Sequence, residues 1–142
     1  MRRRTSLADE RLCLDSWSLI AWLLGEEPSF SIVKGALAER RAVVSWINLG
    51  EVAYIVERRF SADDALDVVG QLTASANVEL PTIAIVLRAA AFKAGNRVSY
   101  ADAFAIATAE SHGVALVTGD PEILDVPGLV RAVDVRRATG PS

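Results

Sequence analysis

The chain has 142 residues, 51% of them hydrophobic and 23% charged, a length that suits one domain able to bury its own core without a covalent or metal staple. Its net charge of -3 excludes a general electrostatic grip on nucleic acid, and its single cysteine, Cys13, excludes an internal disulfide and leaves no pair for a zinc knuckle. The longest apolar run near the start, Leu19 to Leu24, is too short to cross a bilayer, so no membrane association is expected.

Arg2, Arg3 and Arg4 are followed by Asp9, Glu10 and Asp15 rather than by the apolar stretch of a secretory signal. Residues 1–10 are therefore expected to form a flexible leader, and the protein to be cytoplasmic. Arg11 to Asp15 reads as a short buried strand closed by an acid, after which Ser16 offers a cap for a helix from Ser18 to Leu24, stopped by Gly25 and Pro28. A second helix is predicted over Phe30 to Arg41, a strand over Ala42 to Ser45 and a helix over Ile47 to Phe60. Ser61-Ala-Asp-Asp64 opens another helix as a capping box, which fades near Ala74. A strand at Val78 to Leu80 precedes a helix from Ile83 to Ala94. Ser99 begins a helix that ends at Gly113, and Val114 to Thr118 is a strand. A helical turn after Pro121 and a last strand around Leu129 to Val133 complete a single domain over 11–135, with 136–142 a frayed tail. Continuous apolar strands alternating with helices predict an α/β fold with a mainly parallel sheet covered on both faces.

Ligands of open parallel sheets gather at the carboxyl ends of the strands. Asp15 closes the first strand and Asp120 follows the strand ending at Thr118. Asp102 falls in the first turn of the helix that Ser99 starts, and Glu51 in the second turn after Ser45. Each acid also has a structural reading: Asp102 as part of a capping box, Asp120 as an N-cap before Pro121, and Glu51 as a solvated residue opposite the apolar stripe of Leu49, Val52, Ala53, Val56 and Phe60. Asp15 is hardest to account for, since an aspartate closing a buried strand needs a cap role, a charge partner or a metal. Their joint placement is the informative signal: four carboxylates converging on one sheet edge raise one another's pKa unless a cation neutralises them. Magnesium and manganese prefer such oxygen ligands, whereas His112, the only histidine, cannot build a zinc site with Cys13.

Four pieces, Leu12-Cys-Leu-Asp-Ser16, Ser45-Trp-Ile-Asn-Leu-Gly-Glu-Val52, Ser99-Tyr-Ala-Asp-Ala-Phe-Ala-Ile-Ala107 and Leu116-Val-Thr-Gly-Asp120, resemble in order and spacing a PIN domain. More narrowly, they resemble a VapC-type toxin of a bacterial toxin–antitoxin pair. The resemblance implies a three-layer α/β/α sandwich and a Mg2+- or Mn2+-dependent endoribonuclease. Asp15, Glu51, Asp102 and Asp120 would be its acidic quartet, with Asp15, Asp102 and Asp120 on the metal and Glu51 completing the site or orienting water. Ser16, Asn48 and Thr118 would support that quartet. It further implies an RNA substrate, a homodimer, and a VapB-type antitoxin whose C-terminal segment covers the site and brings an arginine to the acids. Arg58, Arg59, Arg88, Lys93 and Arg97 are candidates for a phosphate-gripping rim, or equally for a solvated charged face.

Other phosphate chemistries fit the residues less well. An aspartyl phosphotransferase of the haloacid-dehalogenase pattern wants a second aspartate where this chain has Trp17, and no Gly-x4-Gly-Lys-Ser/Thr loop occurs. The alternative from another class is a non-catalytic RNA- or protein-binding module on the same fold, which metal dependence would discriminate.

Overall fold

A computed structural model describes residues 7, 9–126 and 128–136. The apolar runs form five short strands, β1 (Leu12–Leu14), β2 (Ala42–Ser45), β3 (Asn77–Glu79), β4 (Ala115–Thr118) and β5 (Ala132–Asp134). Between them lie α1 (Ser16–Leu23), α2 (Ser29–Ala38), α3 (Trp46–Arg59), α4 (Ala62–Ser75), α5 (Ile83–Gly95), α6 (Tyr100–His112) and α7 (Pro121–Leu124). None of the described helices is long and apolar enough to cross a membrane.

All neighbouring strands pair in parallel, in the order β3-β2-β1-β4-β5, with Leu12 opposite Ala42 on one side and Ala115 on the other. Alternation along the strands sends side chains to two separate cores. Leu12, Leu14, Ala115 and Val117 face the layer built by α1 to α4, with Leu19, Val33, Leu49, Val52 and Leu72. Cys13 and Leu116 face the opposite layer, with Ala89, Phe92, Ile106 and Ile123 from α5, α6 and α7. The result is a three-layer α/β/α sandwich, as the alternation of runs implied.

The strand order also locates a crevice. The chain winds from β1 through β2 to β3 in one direction and then crosses back to place β4 on the other side of β1. In doubly wound sheets this reversal opens a cleft at the carboxyl ends of the two flanking strands, here after Leu14 and Thr118. Behind the cleft α6 is buried on every side, its Ala103, Ala105, Ala107 and Ala109 allowing close approach to the sheet and to α5. Its exit is fixed by Gly113, at φ +64, a left-handed geometry that glycine adopts without strain.

Several predicted boundaries shift by a residue or two, and three of the differences have a clear physical reason. The second helix ends at Ala38 rather than Arg41, because Arg40 adopts φ 54 and the Arg41 amide closes the turn onto the Ala36 carbonyl at 2.8 Å. The last strand begins at Ala132, since pairing to β4 starts only where the Leu116 amide meets the Arg131 carbonyl (2.9 Å); Leu129 and Val130 instead pack against the second core. Phe60 leaves the apolar stripe of α3: the helix has ended at Arg59, the helical period no longer applies, and the ring is 62% exposed. Of the expected leader, the Leu7 and Glu10 carbonyls accept hydrogen bonds from Arg41, and the remaining positions lie largely outside the described residues. Arg136, expected in the tail, pairs with Asp125 and Asp134, and 137–142 lie outside the described residues.

Candidate active site

Each acid is placed by the local physics of a strand end or helix start. Asp15, with no solvent exposure, follows β1 and caps α1, its Oδ1 accepting from the Ser18 amide at 2.8 Å. Ser16, expected as that cap, is instead the first helical residue and donates its hydroxyl to Glu51 Oε1. Thr118 closes β4, its hydroxyl accepting from the Asp120 amide at 3.0 Å, and Asp120 caps α7 through the Glu122 amide at 2.9 Å. Asp102 lies in the first turn of α6, whose N-cap is Ser99: the Ser99 hydroxyl accepts from the Asp102 amide at 3.0 Å. Asn48 is fully buried in α3 and donates to the Ala101 carbonyl at 3.0 Å, so it ties α3 to the start of α6.

These elements bring the acids to one edge. Ligand atoms of Asp102, Asp120 and Glu122 all lie within 4.8 Å of one another. They open onto a cavity of about 450 Å³, together with Ser16, Trp17 and Glu51. That volume lies in the range of small-ligand sites. Asp15 does not line it. Its influence is electrostatic, adding to the negative field at Asp102.

Glu51, whose helical position suggested a solvated residue, is half-buried on the cavity wall because Ser16 draws it toward the strand ends. Glu122 is the site residue that sequence reasoning missed. The available signal was its place in the first turn of the helix capped by Asp120, where carboxylates are electrostatically favoured. Of the five candidate rim cations, Lys93 and Arg97 flank a second hollow beside Ser99 and Glu122. Arg88 is held away by a two-point pair with Glu110 (2.8 and 3.1 Å) and stacks on Phe92, while Arg58 and Arg59 lie over Tyr54 and Phe60. His112 pairs with Glu79 at 2.8 Å and takes no part in the cluster.

Burial dominates the electrostatics. It pushes the Asp15 carboxyl from 3.8 up to about 6, partly offset by the Thr118 hydroxyl and the Ser18 amide and hydroxyl, with Asp120 adding repulsion. Asp102 is raised as well, by burial first, then by the Asp120 carboxylate beside it and by the charge of Asp15. One oxygen of Asp15, Oδ2, is buried without a full hydrogen bond. A buried acceptor left unpaired and carboxylates crowded enough to resist ionisation are what a hard divalent cation would relieve, and an all-oxygen donor set suits magnesium or manganese. The residues fit the ion.

Comparison with known proteins identifies the fold. The structure matches the VapBC complex of Salmonella typhimurium, solved bound to DNA, at TM-score 0.70 and 19% identity over 88% of this chain and 98% of that one. It matches a toxin–antitoxin complex from Klebsiella pneumoniae at 0.64 and 21%, over 86% and 95%. It also matches VapC20 of Mycobacterium tuberculosis, a sarcin–ricin loop cleaving toxin, at 0.64 and 18%, over 78% and 90%. No curated protein sequence matches the chain. The family model for the PIN domain covers residues 12–129, from the first residue of β1 past the acids that follow β4, so four of the five strands and the carboxylate edge fall within a single match, and the chain belongs to the PIN domain family.

Proposed function

We propose that the chain is a metal-dependent endoribonuclease and the toxin of a toxin–antitoxin pair. The observation that carries this reading is the convergence of Asp102, Asp120 and Glu122 within 4.8 Å at the mouth of the crevice, over a buried Asp15. Structural likeness to a VapC that cleaves the sarcin–ricin loop supports RNA as the substrate class.

Asp102, Asp120 and Glu122 would hold the ion directly, and Asp15 would reinforce the site from beneath or reach it through its unpaired Oδ2. When bound, magnesium or manganese lowers the pKa of its water and offsets charge on a phosphodiester. The chain's own residues supply orientation. The Ser16 hydroxyl holds Glu51 by a hydrogen bond, placing a carboxylate able to accept a proton from water in the wall of the cavity that Asp102 also lines. Asn48 and Thr118 fix the helix start and strand end that carry Asp102 and Asp120. Lys93 and Arg97, beside Glu122, are placed to grip a flanking phosphate; Arg58, Arg59 and Arg88 are a solvated face in this reading.

A VapB-type antitoxin and a homodimer belong to the same proposal. Solved toxin–antitoxin complexes among the structural neighbours support the antitoxin. The exposed Leu80, Ile83 and Leu87, two of them one turn apart on α5, support a self-association face. The test is cleavage of a random-sequence single-stranded RNA pool by antitoxin-free protein in manganese. Fragmentation that stops with chelator and with Asp102→Asn is expected. RNA held equally with and without chelator, and never cut, would favour the binding module instead.

A further inference from the structure

Trp17 stands apart from the other two tryptophans. Trp22 is buried in the core and Trp46 packs against it, whereas Trp17 keeps 38% of its surface open on the wall of the acidic cavity. Its position is built from both sides of the crevice. The backbone comes from the first turn of α1, two residues after Asp15, and the ring lies against Gly119, between Thr118 and Asp120. The contact is so close that a Cβ at residue 119 would fall 2.4 Å from two ring carbons and 2.7 Å from a third. Glycine at 119 is thus what lets the indole lie flat over the end of β4. What distinguishes Trp17 from the other exposed apolar residues is its place: a partly open indole, braced on the backbone at Gly119, lines the same cavity as the acidic cluster.

Resting on the nuclease reading above, we propose that Trp17 is the stacking platform for a nucleobase next to the scissile phosphate, and so a substrate-positioning residue. Single-stranded RNA is bound largely by stacking of unpaired bases on aromatic side chains, and the phosphate is held separately by charge. Here the two functions meet in one cavity: carboxylates for a cation and its phosphate, an indole for the base. The acidic wall disfavours the backbone of an RNA held by charge alone, so stacking supplies attraction that the net charge of -3 does not. Because stacking is sequence-tolerant, the platform sets which part of the RNA enters, a base splayed from a single strand, more than which base it is.

The probes are adenosine 5′-monophosphate and ribose 5-phosphate, titrated in manganese into wild type, Trp17→Leu, Trp17→Phe and Gly119→Ala, with circular dichroism as the control for folding. The nucleotide is expected to bind wild type more tightly than the sugar phosphate and to quench tryptophan emission. Trp17→Leu is expected to lose about 5-fold or more of nucleotide affinity, the lower end of what one stacked base contributes, without weakening the sugar phosphate. Trp17→Phe should recover part of the loss, and Gly119→Ala, which pushes the ring from its seat, should lower the preference while keeping the indole. On RNA, Trp17→Leu should raise KM more than it lowers kcat. Equal binding of the two probes by wild type, no binding of either, or a preference unchanged in Trp17→Leu overturns the proposal. In the last case the exposed indole belongs to a protein partner. Manganese affinity is read separately: if wild type binds no manganese while the base preference follows Trp17, the nuclease reading fails and the stacking platform stands. Manganese bound with no role for Trp17 is the reverse.

Discussion

At the residue scale, the protonation of Asp15 and Asp102 makes metal binding visible without any substrate. The unfolded chain releases the Asp15 proton near 3.8 and the folded protein near 6, so between these values the folded state holds more protons. Stability of the chelated protein is therefore full below about pH 4 and falls as pH rises toward 6, by about 3 kcal/mol for Asp15. Asp102, raised for the same reason, extends the loss upward. Thermal melts of chelated protein should show Tm highest in mild acid and declining toward pH 8, with manganese restoring Tm at pH 8 and changing little at pH 5. A flat profile in chelator would mean that the acids ionise without strain. Ser16→Ala tests the next layer. Freed from its hydroxyl partner, Glu51 should lose its fixed place, lowering cleavage or metal affinity about 10- to 100-fold with little change in Tm, the usual effect of removing an orienting partner. Asp15 announced itself in the sequence, because a charge directly after a buried strand has no cheap explanation. Glu51 and Glu122 did not: periodicity assigns a side chain to a helix face but not to the tertiary partner that draws it inward.

At the element scale, the site depends on where helices begin. Ser99 caps α6 and so sets the height of Asp102 above the strands. Ser99→Ala should cost about 1 kcal/mol and, by letting the first turn fray, weaken manganese binding as well; urea melts alongside calorimetry would separate the two. Gly113→Ala at the far end of the same helix should cost about 1 kcal/mol through its left-handed backbone and leave manganese affinity unchanged. Equal effects of both variants on the metal would contradict the view that only the N-terminal turn matters. Caps and breakers were readable from single residues, which is why Ser61, Ser99, Asp120 and Gly113 were all placed from the sequence. The ends of α2 and β5 were not, because Arg40 in a left-handed conformation and the Arg131–Leu116 pairing are set by the neighbouring strand rather than by local propensity.

At the scale of the whole molecule, parallel order, reversal of direction at β1 and two distinct cores place the carboxylates at one cleft. The apolar runs and their alternation with helices made the layers legible. Strand order was not, since nothing local distinguishes β4 beside β1 from β4 beside β3; it is visible only in the folded structure. Exposed Ile83 and Leu87 belong to this scale too. If they mediate self-association, Ile83→Glu with Leu87→Glu should turn a dimer into a monomer in sedimentation experiments without lowering Tm by more than about 1 kcal/mol equivalent, because neither side chain is buried in the protomer. An unchanged sedimentation coefficient would remove this face from consideration.

The central claim is that the crowded acids exist to hold a divalent cation, and calorimetric titration of manganese into antitoxin-free protein at pH 8 tests it most directly, with Asp102→Asn measured in parallel. Saturable binding by wild type, lost in the variant, is expected, together with a variant whose chelated form melts no lower than wild type because one of two repelling carboxylates has gone. Equal binding by both proteins, or by neither, would contradict the account.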